Sequence, residues 1–165
     1  MVVQKKKRLP AHKGCAGRLI VTDGYVPRFY LNAFHSGSWG SEGNFSLTNC
    51  IEDTEDVINL LFSDASLRVD REKVFLWGQS MGGFVALHLF ADKKNLAGGV
   101  LSMPYDFGFM AERAEEDARL EAAIKAVLDS GMGWLTGADT GALYRESRRY
   151  GSFASLAERV LDVPL

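Results

Sequence analysis

The sequence predicts an α/β fold, a mainly parallel sheet joined by crossover helices. Three observations carry that prediction. Strand-like and helix-like segments alternate between residues 49 and 103, the order that builds a parallel sheet. Residues 74–77 form an unbroken apolar run, which suits a strand buried on both faces. A glycine-bearing turn at residues 78–83 leads from that strand directly into the next helix.

Residues 1–17 are polar, glycine-bearing and without a clear period, and they read as a disordered tail. The run Lys5-Lys6-Lys7-Arg8 within them fits a solvated tail better than a phosphate-binding arm. Residues 18–22 and 28–34 are rich in β-branched and aromatic residues between turn signals, so they read as strands. Only five residues link them, and a parallel crossover needs about a dozen, so the two cannot pair in parallel. Glycines 37, 40 and 43 mark a loop over residues 37–46. Helix 49–62 follows, with Asn49 as N-cap and Glu52 placed to complete a capping box. Its buried face is Ile51, Val57, Ile58, Leu61 and Phe62.

A strand at 73–77, a helix at 81–91 and a strand at 98–103 complete the alternation. After Pro104 the composition turns to Ala, Glu and Arg, predicting helices over 110–128, 141–150 and 152–161. The organisation read from this is a tail at 1–17, a core portion at 18–108 and a helical segment at 109–165.

Composition excludes several function classes. The chain has 165 residues, enough for one domain with a sizeable core, and its 47% hydrophobic and 24% charged residues are ordinary for a globular protein. A net charge of −2 offers no polyanion-binding surface, so nucleic acid is not an expected partner. No stretch approaches the ~18 apolar residues of a membrane span, and no apolar segment follows the basic run to make a signal peptide. Cys15 and Cys50 are isolated and read as reduced thiols. His12, His35 and His88 form no metal-ligand spacing, so neither metal nor other cofactor is expected. Cytoplasmic localisation is the expectation.

The chemistry centres on Gly78-Gln79-Ser80-Met81-Gly82-Gly83. The pattern G-x-S-x-G is weak alone, but here it joins a buried strand to a helix, the setting of a nucleophile elbow. Such a turn strains the serine backbone and lifts Oγ from the sheet edge. The chain passes close to itself, which predicts a need for Gly78 and Gly82. The helix N-terminus points free N–H groups and its positive dipole end at the serine, with Met81 N–H as one oxyanion donor. The competing reading is a glycine-rich turn in which the Ser80 hydroxyl only caps the helix.

With these features the sequence resembles the α/β-hydrolase superfamily. Residues 69–74 resemble the turn into that family's fifth strand, Gly37-Ser38-Trp39-Gly40-Ser41-Glu42-Gly43 the loop after its fourth, and residues 98–106 its sixth strand and exit. The resemblance covers roughly residues 24–165. It implies a partial α/β-hydrolase fold with a cap-like helical C-terminal stretch, ending where the next core strand would begin. It also implies a serine hydrolase acting on a small-molecule ester, thioester or amide through Ser80. The family's Asp or Glu and His follow the serine in the chain. Here the sole later histidine is His88, eight residues along the same helix and about 12 Å away by helix rise. Asp106 follows a strand but has no histidine to orient. The chain is therefore expected to be a weak or inactive enzyme by itself. The alternative is a degenerate hydrolase fragment serving as an interaction module, self-associating through an unpaired sheet edge.

Overall fold

The computed structural model describes residues 7–8, 18–20, 30–32, 36–38, 42–67, 69–92, 95–131 and 135–160. Its central feature is a parallel pair, β4 (Phe75–Gln79) and β5 (Gly98–Ser102), in register from Phe75 opposite Gly98 to Gln79 opposite Ser102. The helix α2 (Met81–Ala91) makes the crossover between them. This is the mixed α/β arrangement expected of the alternating segments.

Helix α2 is apolar on every side, and every residue from Gly83 to Ala91 is buried. A helix of that kind must be surrounded. It lies on one face of the β4–β5 pair and also packs against α1 (Leu47–Ser63) and the short α6 (Ala157–Val160). Gly99 lets the helix come close, because a Cβ there would overlap the ring of Phe90.

The other face corrects an expectation. Phe75 is 68% exposed, Trp77 65% and Val100 59%, so the described residues cover β4 on one face only. An apolar run is equally consistent with one or two covering layers. Alternation then sends Leu76 and Gly78 to the covered side and Phe75 and Trp77 to the other.

The N-terminal strands are β1 (Lys7–Arg8), β2 (Arg18–Ile20) and β3 (Tyr30–Asn32). They form a separate antiparallel meander, with Arg18 opposite Asn32 and Lys7 opposite Leu19. The two strands expected at 18–22 and 28–34 are present over three residues each, and their short link is compatible with antiparallel pairing. Lys7 and Arg8 belong to this sheet rather than to an unstructured tail. The backbone partner comes from ten residues downstream, and a basic dipeptide gives no sign of it. The rest of residues 1–17 lies outside the described residues.

Helix α1 starts at Leu47, two residues before the predicted start. Ser46 is its N-cap, accepting from Asn49 N at 2.9 Å, while the Asn49 side chain donates to Asn44 O at 2.7 Å. A second cap comes from α5 (Thr140–Tyr150), whose Glu146 carboxylate accepts from Leu47 N at 2.8 Å and Thr48 N at 2.7 Å. A carboxylate at a helix N-terminus meets both free N–H groups and the positive dipole end.

The predicted helix 110–128 is two helices, α3 (Phe107–Glu116) and α4 (Ala118–Gly131). Asp117 breaks them apart: its backbone is extended and its carboxylate accepts from Arg119 N at 2.9 Å, capping α4. Composition favours helix on both sides of Asp117 and so conceals the break. The predicted 152–161 helix is a 3-10 turn, Phe153–Leu156, running into α6. Residues of the C-terminal helices, Leu143, Phe107, Tyr150 and Phe153, join Phe84 and Leu89 of α2 in one apolar core.

Candidate functional site

The geometry of the Ser80 turn follows from what must meet there. Strand β4 ends at Gln79, α2 begins at Met81, and one residue turns the chain between them. Ser80 does so at φ 52 and ψ −117. A non-glycine residue in such a sparsely populated region costs on the order of 1–3 kcal/mol and persists only where its surroundings enforce it.

The enforcement is visible. Ser80 N donates to Ser102 O at 3.1 Å, tying the turn to the end of β5. Ser80 O accepts from Gly83 N at 3.0 Å, Phe84 N at 3.2 Å and Tyr105 N at 3.1 Å. The turn is thus bonded both to its own helix and to the loop after β5. Gly78 is required, since a Cβ there would overlap the Gly82 carbonyl and stand 2.8 Å from Gly83 N. Gly83 is required too, since its Cβ would stand 2.7 Å from Pro104 Cβ.

Gly82 departs from the sequence expectation. A Cβ at Gly82 meets nothing within 4 Å, so the close approach bears on Gly78 and Gly83 instead. Gly82 supplies backbone to the contact, and its own Cβ direction is open.

The Ser80 side chain is exposed and makes no capping hydrogen bond to α2. The cap reading of the serine therefore loses the contact it needs. Met81 is the first helical residue, and its N–H has no carbonyl one turn back to bond within the helix. That donor and the dipole of α2 lie beside Ser80.

Met103 was not singled out by the sequence. At φ 44 it joins Ser80 as one of two described non-glycine residues at positive φ. Ser80 is bonded to Ser102 O and to Tyr105 N, one residue before Met103 and two after it. A residue before proline is normally extended, so Met103, preceding Pro104, is doubly unusual. Two strained residues thus stand together at the C-terminal edge of parallel strands, where ligands of open α/β sheets bind. The neighbourhood carries little charge of its own: His88 is the one ionisable residue in 74–91, and 95–104 has none.

His88 serves the core. It is 8% exposed, edge-on to Phe84 at 4.4 Å and to Tyr150 at 4.8 Å between ring centroids. Its Nε2 is buried and has no hydrogen-bond partner among the described residues. Burial holds its pKa down to about 4 from the usual 6.5, with Asp92 opposing that shift, so the ring is neutral at pH 7. Asp106 is committed to structure. One oxygen caps α3 by accepting from Phe109 N at 2.9 Å, and the other accepts from Phe153 N at 2.8 Å. His12 and His35 lie outside the described residues.

The loop before α1 is held as a joint. Gly37 and Gly43 adopt φ 72 and 92, and a Cβ at Gly37 would overlap Phe45 N. Thr136 N donates to Gly37 O at 2.6 Å and Phe45 N to Thr136 O at 2.9 Å, so residues 135–137 close over the loop. Buried Asp53 anchors its start, accepting from Ser36 N at 2.6 Å and Ser36 Oγ at 3.1 Å. Among the described residues, no three His, Cys, Asp or Glu side chains are grouped to hold a metal ion. No helix among them is long and apolar enough to cross a membrane.

Comparison with protein-family models and with curated proteins gives no match for this chain.

Proposed function

We propose that Ser80 is the nucleophile of a serine hydrolase of the α/β-hydrolase type, with β4, α2 and β5 as part of that fold. The observation that carries this reading is the Ser80 backbone, φ 52 and ψ −117 at a strand-to-helix turn, with its hydroxyl exposed and unused as a cap. A cap or a simple turn needs no such strain. A nucleophile elbow does, because only that conformation lifts Oγ clear of the sheet edge.

In a complete site of this type, Ser80 Oγ would attack the carbonyl carbon of an ester, thioester or amide while a histidine, which the described residues do not supply, took the hydroxyl proton. Negative charge developing on the carbonyl oxygen is met by Met81 N–H and the N-terminal end of α2. Return of the proton to the leaving group gives an acyl-serine, which water then hydrolyses. The chemistry calls for no cofactor, and the buried thiol of Cys50 suits a reducing, cytoplasmic setting.

Among the described residues no group is placed to receive the Ser80 proton, since the His88 ring is packed among aromatic side chains. Loss of one member of such a catalytic set typically lowers the rate by several orders of magnitude. With only the groups that the described residues place around Ser80, the expected activity is slow turnover of activated esters. Release of nitrophenolate from p-nitrophenyl acetate, with the Ser80→Ala variant as reference, measures it. A slow rate lost in the variant supports the reading. Equal rates from both proteins contradict it.

A further inference from the structure

The net charge of −2 conceals an uneven division of charge along the chain. Seven of the 19 Lys and Arg residues, but one of the 21 Asp and Glu residues, stand in residues 1–35. That segment therefore carries +6 and the remainder −8. A basic segment on an otherwise acidic chain is the electrostatic footprint of an anionic partner.

The N-terminal meander gathers part of this charge on one face. Register sets Arg8 opposite Arg18 and Arg18 opposite Asn32, so the three form a row across β1, β2 and β3. With strands ~4.8 Å apart, the row is about 10 Å long. Ile20 and Tyr30 are the next pair on the same face, two residues and about 7 Å along the strands. Lys7, Leu19 and Leu31 fall on the opposite face. Two like charges directly opposite one another destabilise a strand pair. An anion bound on this face offsets that repulsion.

We infer that the face carrying Arg8, Arg18, Asn32 and Tyr30 binds single-stranded nucleic acid. The two arginines supply charge for backbone phosphates, which guanidinium groups recognise through paired N–H donors. Asn32 adds a neutral hydrogen-bonding residue at the end of the row. Tyr30 puts an aromatic residue on the same face, and an unpaired base stacks on such a ring. A free phosphate has no use for that ring. A lipid surface asks instead for several Trp, Phe or Leu beside the basic residues, and the described residues of this face include none. Lys7 and Arg8 are held in register within the sheet, so the charge is presented in a fixed order. The inference does not depend on the chemistry of Ser80.

Fluorescence anisotropy of the full chain with labelled oligouridine and oligodeoxythymidine tests it, beside vesicles of phosphatidylcholine and phosphatidylserine. Binding of one or both oligonucleotides, weakening as salt rises, is expected, and the better ligand identifies the sugar. Arg8→Gln and Arg18→Gln are each expected to flatten the slope of log affinity against log salt by about 0.7, the value for one phosphate contact to a single strand. Both variants are expected to keep or raise the urea midpoint, since each removes the like-charge pair. Tyr30→Leu is expected to weaken binding roughly tenfold with the salt slope unchanged. Arg149→Glu, a charge reversal at an exposed position of α5, is the control and is expected to bind as the wild type does. Failure of both oligonucleotides to bind overturns the proposal, as does binding of the vesicles alone. An equal loss in Arg149→Glu and the two arginine variants would show unspecific attraction and also overturns it. So does unfolding of both arginine variants, which would give that row a structural role, and so does wild-type affinity in Tyr30→Leu.

Discussion

Replacing Gly78 by alanine places a methyl carbon against the Gly82 carbonyl and 2.8 Å from Gly83 N. Both neighbours are backbone, so no side-chain rotation relieves the overlap. Relief requires β4 to move away from the start of α2, which also disturbs the bond from Ser80 N to Ser102 O. Overpacking ordinarily costs ~1–3 kcal/mol, and a backbone contact of this kind belongs at or above the top of that range. Gly82→Ala is the matched control four residues away. Its Cβ meets nothing within 4 Å, and replacing a helical glycine by alanine stabilises by roughly 0.5–1 kcal/mol. The two substitutions are thus expected to differ by about 4 kcal/mol, with opposite signs. Urea unfolding followed by circular dichroism reads this directly. With a slope of ~2 kcal/mol/M, the midpoints separate by about 2 M. Gly78→Ala within ~0.5 kcal/mol of wild type would refute the steric account of the turn. So would Gly82→Ala being the more destabilised of the pair.

Two further outcomes test the packing that supports the site. Glu146→Ala removes the carboxylate bonded to Leu47 N and Thr48 N, and is expected to destabilise by ~1–3 kcal/mol in urea unfolding, with Glu146→Gln recovering part of the loss. His88 has a folded-state pKa near 4 against 6.5 unfolded. The unfolded chain therefore binds more protons between those values, and stability rises with pH across that window. The His88 contribution is complete above pH 6.5 and is lost progressively as pH falls to about 4, a change of up to roughly 3 kcal/mol. His88→Leu is expected to flatten the unfolding free energy over that window relative to wild type, and a parallel pH profile for the two proteins would contradict it.

The parts of the molecule legible in the sequence are those set by neighbours a few residues apart. Strand β4, the glycine turn and α2 follow one another along the chain, and the sequence places each within two residues. The same holds for Thr140–Tyr150, where Asp139 accepts from Gly141 N and Ala142 N to start the helix as predicted. What depends on distant partners was not legible. Glu146 caps a helix 98 residues away, and Lys7 pairs with Leu19. Whether Phe75 and Trp77 are covered depends on layers that an apolar run does not specify. Within the candidate site, Gly78 was readable because a close approach of backbone to backbone demands a residue without a Cβ. Gly82 was over-read, because the pattern does not say which partner of a close contact needs to lack a Cβ. Met103 gave no signal, since nothing in a methionine before a proline marks a positive φ.

The central claim is that the strained turn presents the Ser80 hydroxyl as a nucleophile. Exposure of the intact chain to a fluorophosphonate, followed by peptide mapping by mass spectrometry, tests it most directly. A slowly formed phosphonyl adduct on the peptide bearing Ser80, ahead of the other serines and absent from Ser80→Ala, is the expected result. Adducts spread over the serines without preference for Ser80, or none at Ser80 after prolonged exposure, would contradict it.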